Sequence, residues 1–222
     1  FNFTAIAGNL PTAPAMMGNT ILWKPASSSI LSGYYLMQLY KEAGVPDGVI
    51  NFLPSRGSVI GKEVFGHKDF AGVHFTGSTS TFMTMWKEIA ANIDKYVSYP
   101  RIVGETGGKD FIFAHKSACP QNVAVNMVRG AYEYQGQKCS AASRAYIPKS
   151  LWPTIKERVI ADMKTIKMGD INDFSMFMGA VIDEAAFDSI AEYIDKAKES
   201  SDAEILFGGG YDKSTGYFIE PT

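Results

Sequence analysis

Cysteine is scarce: the 222 residues hold two, Cys119 and Cys139. Two thiols cannot build a disulfide scaffold, so a reducing compartment is expected. An excess of charge is also missing. Twenty-one Lys and Arg against 23 Asp and Glu leave a net charge of −2, with neither a basic stripe for nucleic acid nor an acidic tail. No apolar run approaches bilayer length and no signal-peptide pattern is present in these residues, so neither nucleic acid nor a membrane is an expected partner. The three histidines, His67, His74 and His115, show no metal-ligand spacing with the cysteines, and no zinc site is expected. The G-x-G-x-x-G fingerprint of dinucleotide sites is absent as well. A polar lead-in is missing too: the chain opens on Phe1-Asn2-Phe3 and closes on the strand-like run Tyr217 to Thr222, which has no evident partner. It reads as the middle of a longer polypeptide.

What is present is a large apolar fraction, 46%, enough for one large or two modest cores and incompatible with disorder. Strand-like and helical patterns alternate. Strands are expected over 19–23, 49–53, 72–75 and 101–104, with helices between them from Ser27-Ser28-Ser29 to Gly44, over 58–65 and over 79–93. The order implies βαβ crossovers and a parallel sheet. Further on, strands are expected over 110–114, 143–147 and 204–207, and helices from Pro120 to about Gln135, from Pro153 to about Ile166, and over 184–198. Gly208-Gly209-Gly210 reads as a turn. The aromatics and Met16-Met17 read as packing residues. The fold class is therefore α/β. The character shifts near residues 104–109, which places a domain boundary between 106 and 107.

A few positions suggest chemistry. Cys139 lies among small and polar neighbours in Gly136-Gln137-Lys138-Cys139-Ser140, where Lys138 would favour a thiolate; the alternative is an inert, buried cysteine. Cys119 is read as inert. Glu105 precedes Gly107-Gly108, and an apolar flank would raise its carboxyl toward a useful base; the alternative is a solvated loop carboxylate. Thr76-Gly77-Ser78-Thr79 follows a strand and opens a helix, an arrangement that favours a phosphate or simply an N-cap. Gly57-Ser58 is a weaker loop of the same kind. Lys24, at a strand end before Pro25, is placed for a ribose or is an ordinary strand-end charge.

Taken together and in order, these segments resemble the aldehyde dehydrogenase family across essentially the whole chain. The motifs are Asn2-Phe3, Trp23-Lys24-Pro25, Phe75-Thr76-Gly77-Ser78, Glu105-Thr106-Gly107-Gly108-Lys109, Gly136-Gln137-Lys138-Cys139 and Gly216-Tyr217-Phe218. The runs FNFTAIAGNL, GGKDF and YEYQGQKCSAASRAY most resemble the branch that oxidises L-glutamate γ-semialdehyde to glutamate, the second step of proline breakdown.

The resemblance implies a Rossmann-like NAD domain over 1–106, incomplete at its start, and a cysteine-bearing catalytic domain over 107–222, truncated at its end. It implies Cys139 as nucleophile, Glu105 as the base for thioester hydrolysis, and Asn2 with the Cys139 backbone N–H as oxyanion donors. Lys24 would meet the adenosine ribose and Ser78 the pyrophosphate. Trp23, Ser27 and Gly57, with Thr76, Gly77, Thr106 and Gly107, would complete the cofactor site. Phe3 would flank the substrate stem and Ser140 would bind its carboxylate. Ser27 stands where many members carry the Glu that disfavours a 2′-phosphate, so NADP is not excluded beside NAD. Thr106 replaces the more frequent Leu. The family's downstream Glu-x-Phe segment, C-terminal substrate loop and oligomerisation strand are not in these residues. A homo-oligomeric parent is implied, in the mitochondrial matrix of a eukaryote or the cytoplasm of a bacterium. Three rivals remain: a dehydrogenase for another semialdehyde such as succinate semialdehyde, a cysteine acyl-transferase or esterase, and a non-catalytic remnant.

Overall fold

In the computed structural model the backbone is described for residues 2–222 and side chains for residues 5–222. The chain falls into two compact units, residues 1–107 and 108–222. The first opens with helix α1 (Asn2–Met16), which contains Pro11 and Pro14. A proline inside a helix removes an N–H and frees a carbonyl four residues back. Here the Thr12 hydroxyl donates to the Gly8 carbonyl at 2.5 Å, and Pro11 is fully buried. That hydroxyl bond braces the turn beside Pro11, and the Pro11 ring serves as packing. The Pro14 carbonyl then accepts from Met17 N and Asn19 N and ends the helix. Gly18, with φ 83°, turns the chain out to solvent, so Met16 and Met17 are exposed rather than packed.

Strand β1 (Ile21–Trp23), helix α2 (Ile30–Glu42) and strand β2 (Ile50–Phe52) form one βαβ unit, with β1 and β2 parallel and Trp23 paired to Phe52. The serines do not cap α2 as expected. Residues 27–29 wind into a 3₁₀ turn and Ser29 makes no side-chain cap bond; its hydroxyl donates back to the Ala26 carbonyl. Helix α3 (Gly57–Val64) follows. Strand β3 (Gly72–Thr76), helix α4 (Thr79–Ala91) and strand β4 (Arg101–Glu105) make a second parallel βαβ unit. Helix α1 packs against α2 and against β1, β2 and β3. Trp23, Ile50, Phe70 and Ile89 are buried here, and Trp23 meets Phe52 edge-on at 5.0 Å. Gly104 lets α4 sit on its strand, because a Cβ there would strike the Phe82 ring at 2.2 Å.

The second unit holds a third parallel βαβ unit: β5 (Phe111–Phe113), α5 (Pro120–Tyr132) and β6 (Arg144–Tyr146). Helix α5 ends at Tyr132, short of Gln135, because Tyr134 and Gln135 adopt left-handed backbone angles. Helix α6 (Trp152–Met163) packs on α5 and stops before Ile166, where the Thr165 hydroxyl takes the Asp162 carbonyl. Helix α7 (Glu184–Glu199) starts under an Asp183 side chain that accepts from Ala186 N at 2.9 Å. Its apolar face, Phe187, Ala191 and Ile194, packs with Val181 and Ile219. The closing run does have a partner: β8 (Phe218–Ile219) pairs antiparallel with β7 (Tyr211–Asp212) across a loop. Residues 204–207 are not a strand. Ile205 is drawn onto the α7 cluster, while Gly208 and Gly209, at φ 73° and 94°, turn the chain before a ladder can form. Of the aromatics, Trp23, Phe70 and Phe187 are buried, whereas Trp86, Tyr99, Phe113 and Phe174 are exposed. The expectation that most aromatics pack in a core therefore fails: Trp86 and Phe113 lie on open faces of α4 and β5, and Tyr99 and Phe174 lie on loops.

Candidate functional site

The first unit collects its candidates at strand ends. In a parallel pair both carboxyl ends lie on one side, which is where α/β sheets bind ligands. Lys24 leaves β1 there, Ser27 opens the 3₁₀ turn that follows, and Gly57 begins α3 after β2. A Cβ on Gly57 would sit 3.8 Å from Lys24 Cδ, so the glycine and the lysine stem are neighbours. Lys24 Nζ donates to the Pro25 carbonyl, and burial holds its ammonium below the ordinary lysine pKa. Trp23 itself points into the core, 6% exposed, with its carbonyl taken by Leu53 N at 2.8 Å. The indole therefore serves packing, and anything it does at a ligand must come from its backbone.

The β3/β4 pair brings a second set together. Thr76 is paired with Glu105, and Gly77 N donates to the Glu105 carbonyl at 3.2 Å. The Ser78 hydroxyl donates to Thr81 Oγ1 at 2.7 Å and accepts from Thr81 N at 3.3 Å. It is thus the N-cap of α4, the simpler of the two readings of this motif. The helix start and its dipole remain available to an anion by geometry alone. Thr106 and Gly107 continue from β4, and Gly107 has open space where a Cβ would be. Glu105 is exposed. The apolar flank expected to surround it is absent from this unit because β4 turns its side chains outward along most of its length. The side chains of Asn2 and Phe3 lie outside the described residues.

In the second unit Cys139 is half-buried, Ser140 is exposed, and neither Cys119 nor Cys139 is in a disulfide. The loop that carries Cys139 is fixed from several sides. Ala141 N bonds the Lys138 carbonyl, Ala142 N the Gly130 carbonyl and Ser143 N the Asp110 carbonyl, at 3.2, 2.9 and 3.0 Å. Gly108 lies against it so closely that a Cβ would stand 2.3 Å from the Cys139 carbonyl oxygen. Upstream, Tyr134, Gln135 and Gly136 are left-handed in succession, φ 53°, 60° and 68°, a conformation costly for the first two. Gln135 Nε2 donates to the Ala180 carbonyl at 3.1 Å, and Gln137 Oε1 accepts from Ile182 N at 3.0 Å. The Lys138 ammonium bonds Glu133 Oε2 at 2.8 Å and lies 5.2 Å from the Tyr134 ring centroid. Two grooves in this unit, one lined by Ile112, Met127 and Val159 and one by Val125, Asp162 and Phe177, include neither Cys139 nor Ser140.

Sequence reasoning gave no site role to Gly108, Glu133, Gln135 or Gln137. The four-residue spacing of Arg129 and Glu133 was a usable signal, since such pairs meet on one helix face. The contacts to Ala180 and Ile182 span 45 positions and leave no local signature. Among the described residues no group of three or more His, Cys, Asp or Glu side chains could hold a metal ion, and no helix is long and apolar enough to cross a membrane.

Three parallel βαβ units define an α/β protein, with candidate residues at the strand ends of the first two and a candidate cysteine on the loop that leads into β6. The chain belongs to the aldehyde dehydrogenase family, which it matches over residues 1–222. It is 55% identical over 224 aligned residues to the mitochondrial delta-1-pyrroline-5-carboxylate dehydrogenase of Dictyostelium discoideum, covering 100% of this chain and 40% of that protein. To the human mitochondrial protein of that name it is 46% identical, covering 100% and 39%. The fold superposes on the Mycobacterium tuberculosis Delta-pyrroline-5-carboxylate dehydrogenase bound with NAD, with TM-score 0.94 and 48% identity, over 98% of this chain and 41% of that one. The chain thus spans about two fifths of the length of these relatives.

Proposed function

We propose that this chain is part of an NAD-dependent dehydrogenase that oxidises L-glutamate γ-semialdehyde, the open form of 1-pyrroline-5-carboxylate, to glutamate. The observation that carries the reading is 55% identity across the whole chain to an enzyme named for that substrate. Residues of the first unit fit NAD: an amine beside a glycine at one pair of strand ends, suited to ribose hydroxyls, and a serine-capped helix start at the other, suited to pyrophosphate. Lys24, Ser27 and Gly57 would hold the first part, and Thr76, Gly77 and Ser78 the second, with Thr106 and Gly107 beside them. NAD, when bound, supplies the two-electron acceptor.

This chain's own residues would do the rest. Cys139 adds its thiolate to the aldehyde carbon, forming a C–S bond and an oxyanion. Asn2 and the Cys139 N–H stabilise that charge. Loss of the carbonyl hydrogen with its electron pair leaves a thioester. Glu105 then takes a proton from water as its oxygen attacks, releasing glutamate and regenerating the thiolate. Phe3 would flank the aliphatic stem, and Ser140, exposed beside the nucleophile, would bind the carboxylate. The same reading gives a homo-oligomer, in the mitochondrial matrix where the source is a eukaryote and in the cytoplasm where it is a bacterium.

The test is NADH absorbance with the protein at its full natural length. Glutamate semialdehyde should give the higher kcat/KM against succinate semialdehyde, and Cys139→Ala should give no turnover. A preference for succinate semialdehyde moves the assignment to another semialdehyde, and ester hydrolysis without an NAD requirement refutes a dehydrogenase.

A further inference from the structure

The segment from Glu133 to Lys138 is closed on itself by a side-chain bridge. Glu133 Oε2 binds Lys138 Nζ at 2.8 Å, while its Oε1 accepts from Arg129 Nε at 2.7 Å and lies 2.5 Å from the terminal Arg129 nitrogen. Glu133 and Lys138 side chains are 26% and 18% exposed, so most of this pair is out of water, whereas Arg129 is 66% exposed. The Lys138 bond, then the Arg129 bond, holds the Glu133 carboxyl below its ordinary pKa, and it is an anion at neutral pH. Between the bridged residues lie Tyr134, Gln135 and Gly136 with their left-handed backbone. Strain of this sort persists only where surrounding contacts over-determine it. The residue after the bridge is Cys139.

Resting on the reading of Cys139 as the nucleophile, we propose that Glu133 is a positioning residue that acts through Lys138 to set the presentation of the Cys139 sulfur. Glu133 touches neither substrate nor cofactor. Its role is to hold Lys138, and so the peptide leading into Cys139, in one place against the relaxation of the strained residues before it. Glu133→Gln keeps the shape but turns an NH₂ group toward one of the two cations. Lys138→Met removes the same bridge from the other end while keeping the apolar stem.

The experiment uses the full-length protein and two readouts. The first is the rate of iodoacetamide alkylation at residue 139, resolved from Cys119 by peptide mass spectrometry. The second is the split between kcat and KM. Glu133→Gln should change the alkylation rate at Cys139 by about fivefold or more. It should also lower kcat by roughly ten- to a hundredfold, the range for a misplaced reacting group, with KM for NAD unchanged. An alkylation rate within about twofold of the parent overturns the proposal. Should Glu133→Gln fail to fold, Lys138→Met gives the same two readouts; failure of both to fold assigns the bridge to stability and overturns it. A parent that alkylates as described but reduces no NAD with the semialdehyde refutes the functional reading and leaves the positioning of the thiol standing.

Discussion

Single residues decide how well the cysteine is presented. Gly108→Ala should lower stability by about 1–3 kcal/mol through overpacking and cut turnover, because the new methyl would meet the Asp110 carboxylate, which can swing away, and the Cys139 backbone carbonyl, which cannot. Urea denaturation and NADH formation check the two effects. Asn2→Ala should slow turnover by roughly 10²–10³, the usual effect of losing one oxyanion donor; unchanged kcat would remove Asn2 from that role. Glu133 carries a pH dependence. Its folded carboxyl titrates below the ordinary value near 4.5, so its contribution is complete above that pH and fades as pH falls through the lowered value. The stability gap between the parent and Glu133→Gln, read from urea midpoints, should therefore shrink from pH 7 to pH 3.5. Residue identity singled out Cys139 and Glu105 as candidates, because each sits in a short motif of small neighbours. The bridge from Glu133 and the two glutamine contacts were not legible, since their meaning depends on a left-handed backbone that no propensity favours at Tyr134 or Gln135.

At the scale of elements, the alternating strands and helices of residues 19–105 could be read from the sequence. Each strand is a short β-prone run, and the helices that join the parallel pairs, α2 and α4, are rich in apolar residues. Errors fell where one local signal met a competing one. The serines at 27–29 look like caps, yet the Ser29 hydroxyl bonds the Ala26 carbonyl behind it. Residues 2–16 hide a helix behind Pro11 and Pro14, two residues that ordinarily argue against one. The run at 204–207 has a strand's composition but no partner to ladder with. The cap that does form is testable: Asp183→Ala should cost about 1 kcal/mol, seen as a lower midpoint in a thermal melt of far-UV circular dichroism. No change would show that the Ala186 bond is replaced by water without loss.

For the whole molecule, the unusual quantity is apolar surface in contact with water. Tyr99 is 77%, Phe113 75% and Phe174 100% exposed, and many other large apolar side chains of both units are exposed with them. Residues 1–222 produced alone should bind a hydrophobic dye and self-associate in light scattering; a monodisperse monomer without dye fluorescence would contradict these exposures. The paired glutamines carry a further consequence. Gln135 and Gln137 are two positions apart, and so are their partners Ala180 and Ile182. The two stretches are matched like teeth of equal pitch. Exchange of one side chain weakens one tooth, but adding or deleting a residue at position 136 shifts every later contact by a step. An insertion or deletion at this point should therefore cost more than any replacement at constant length.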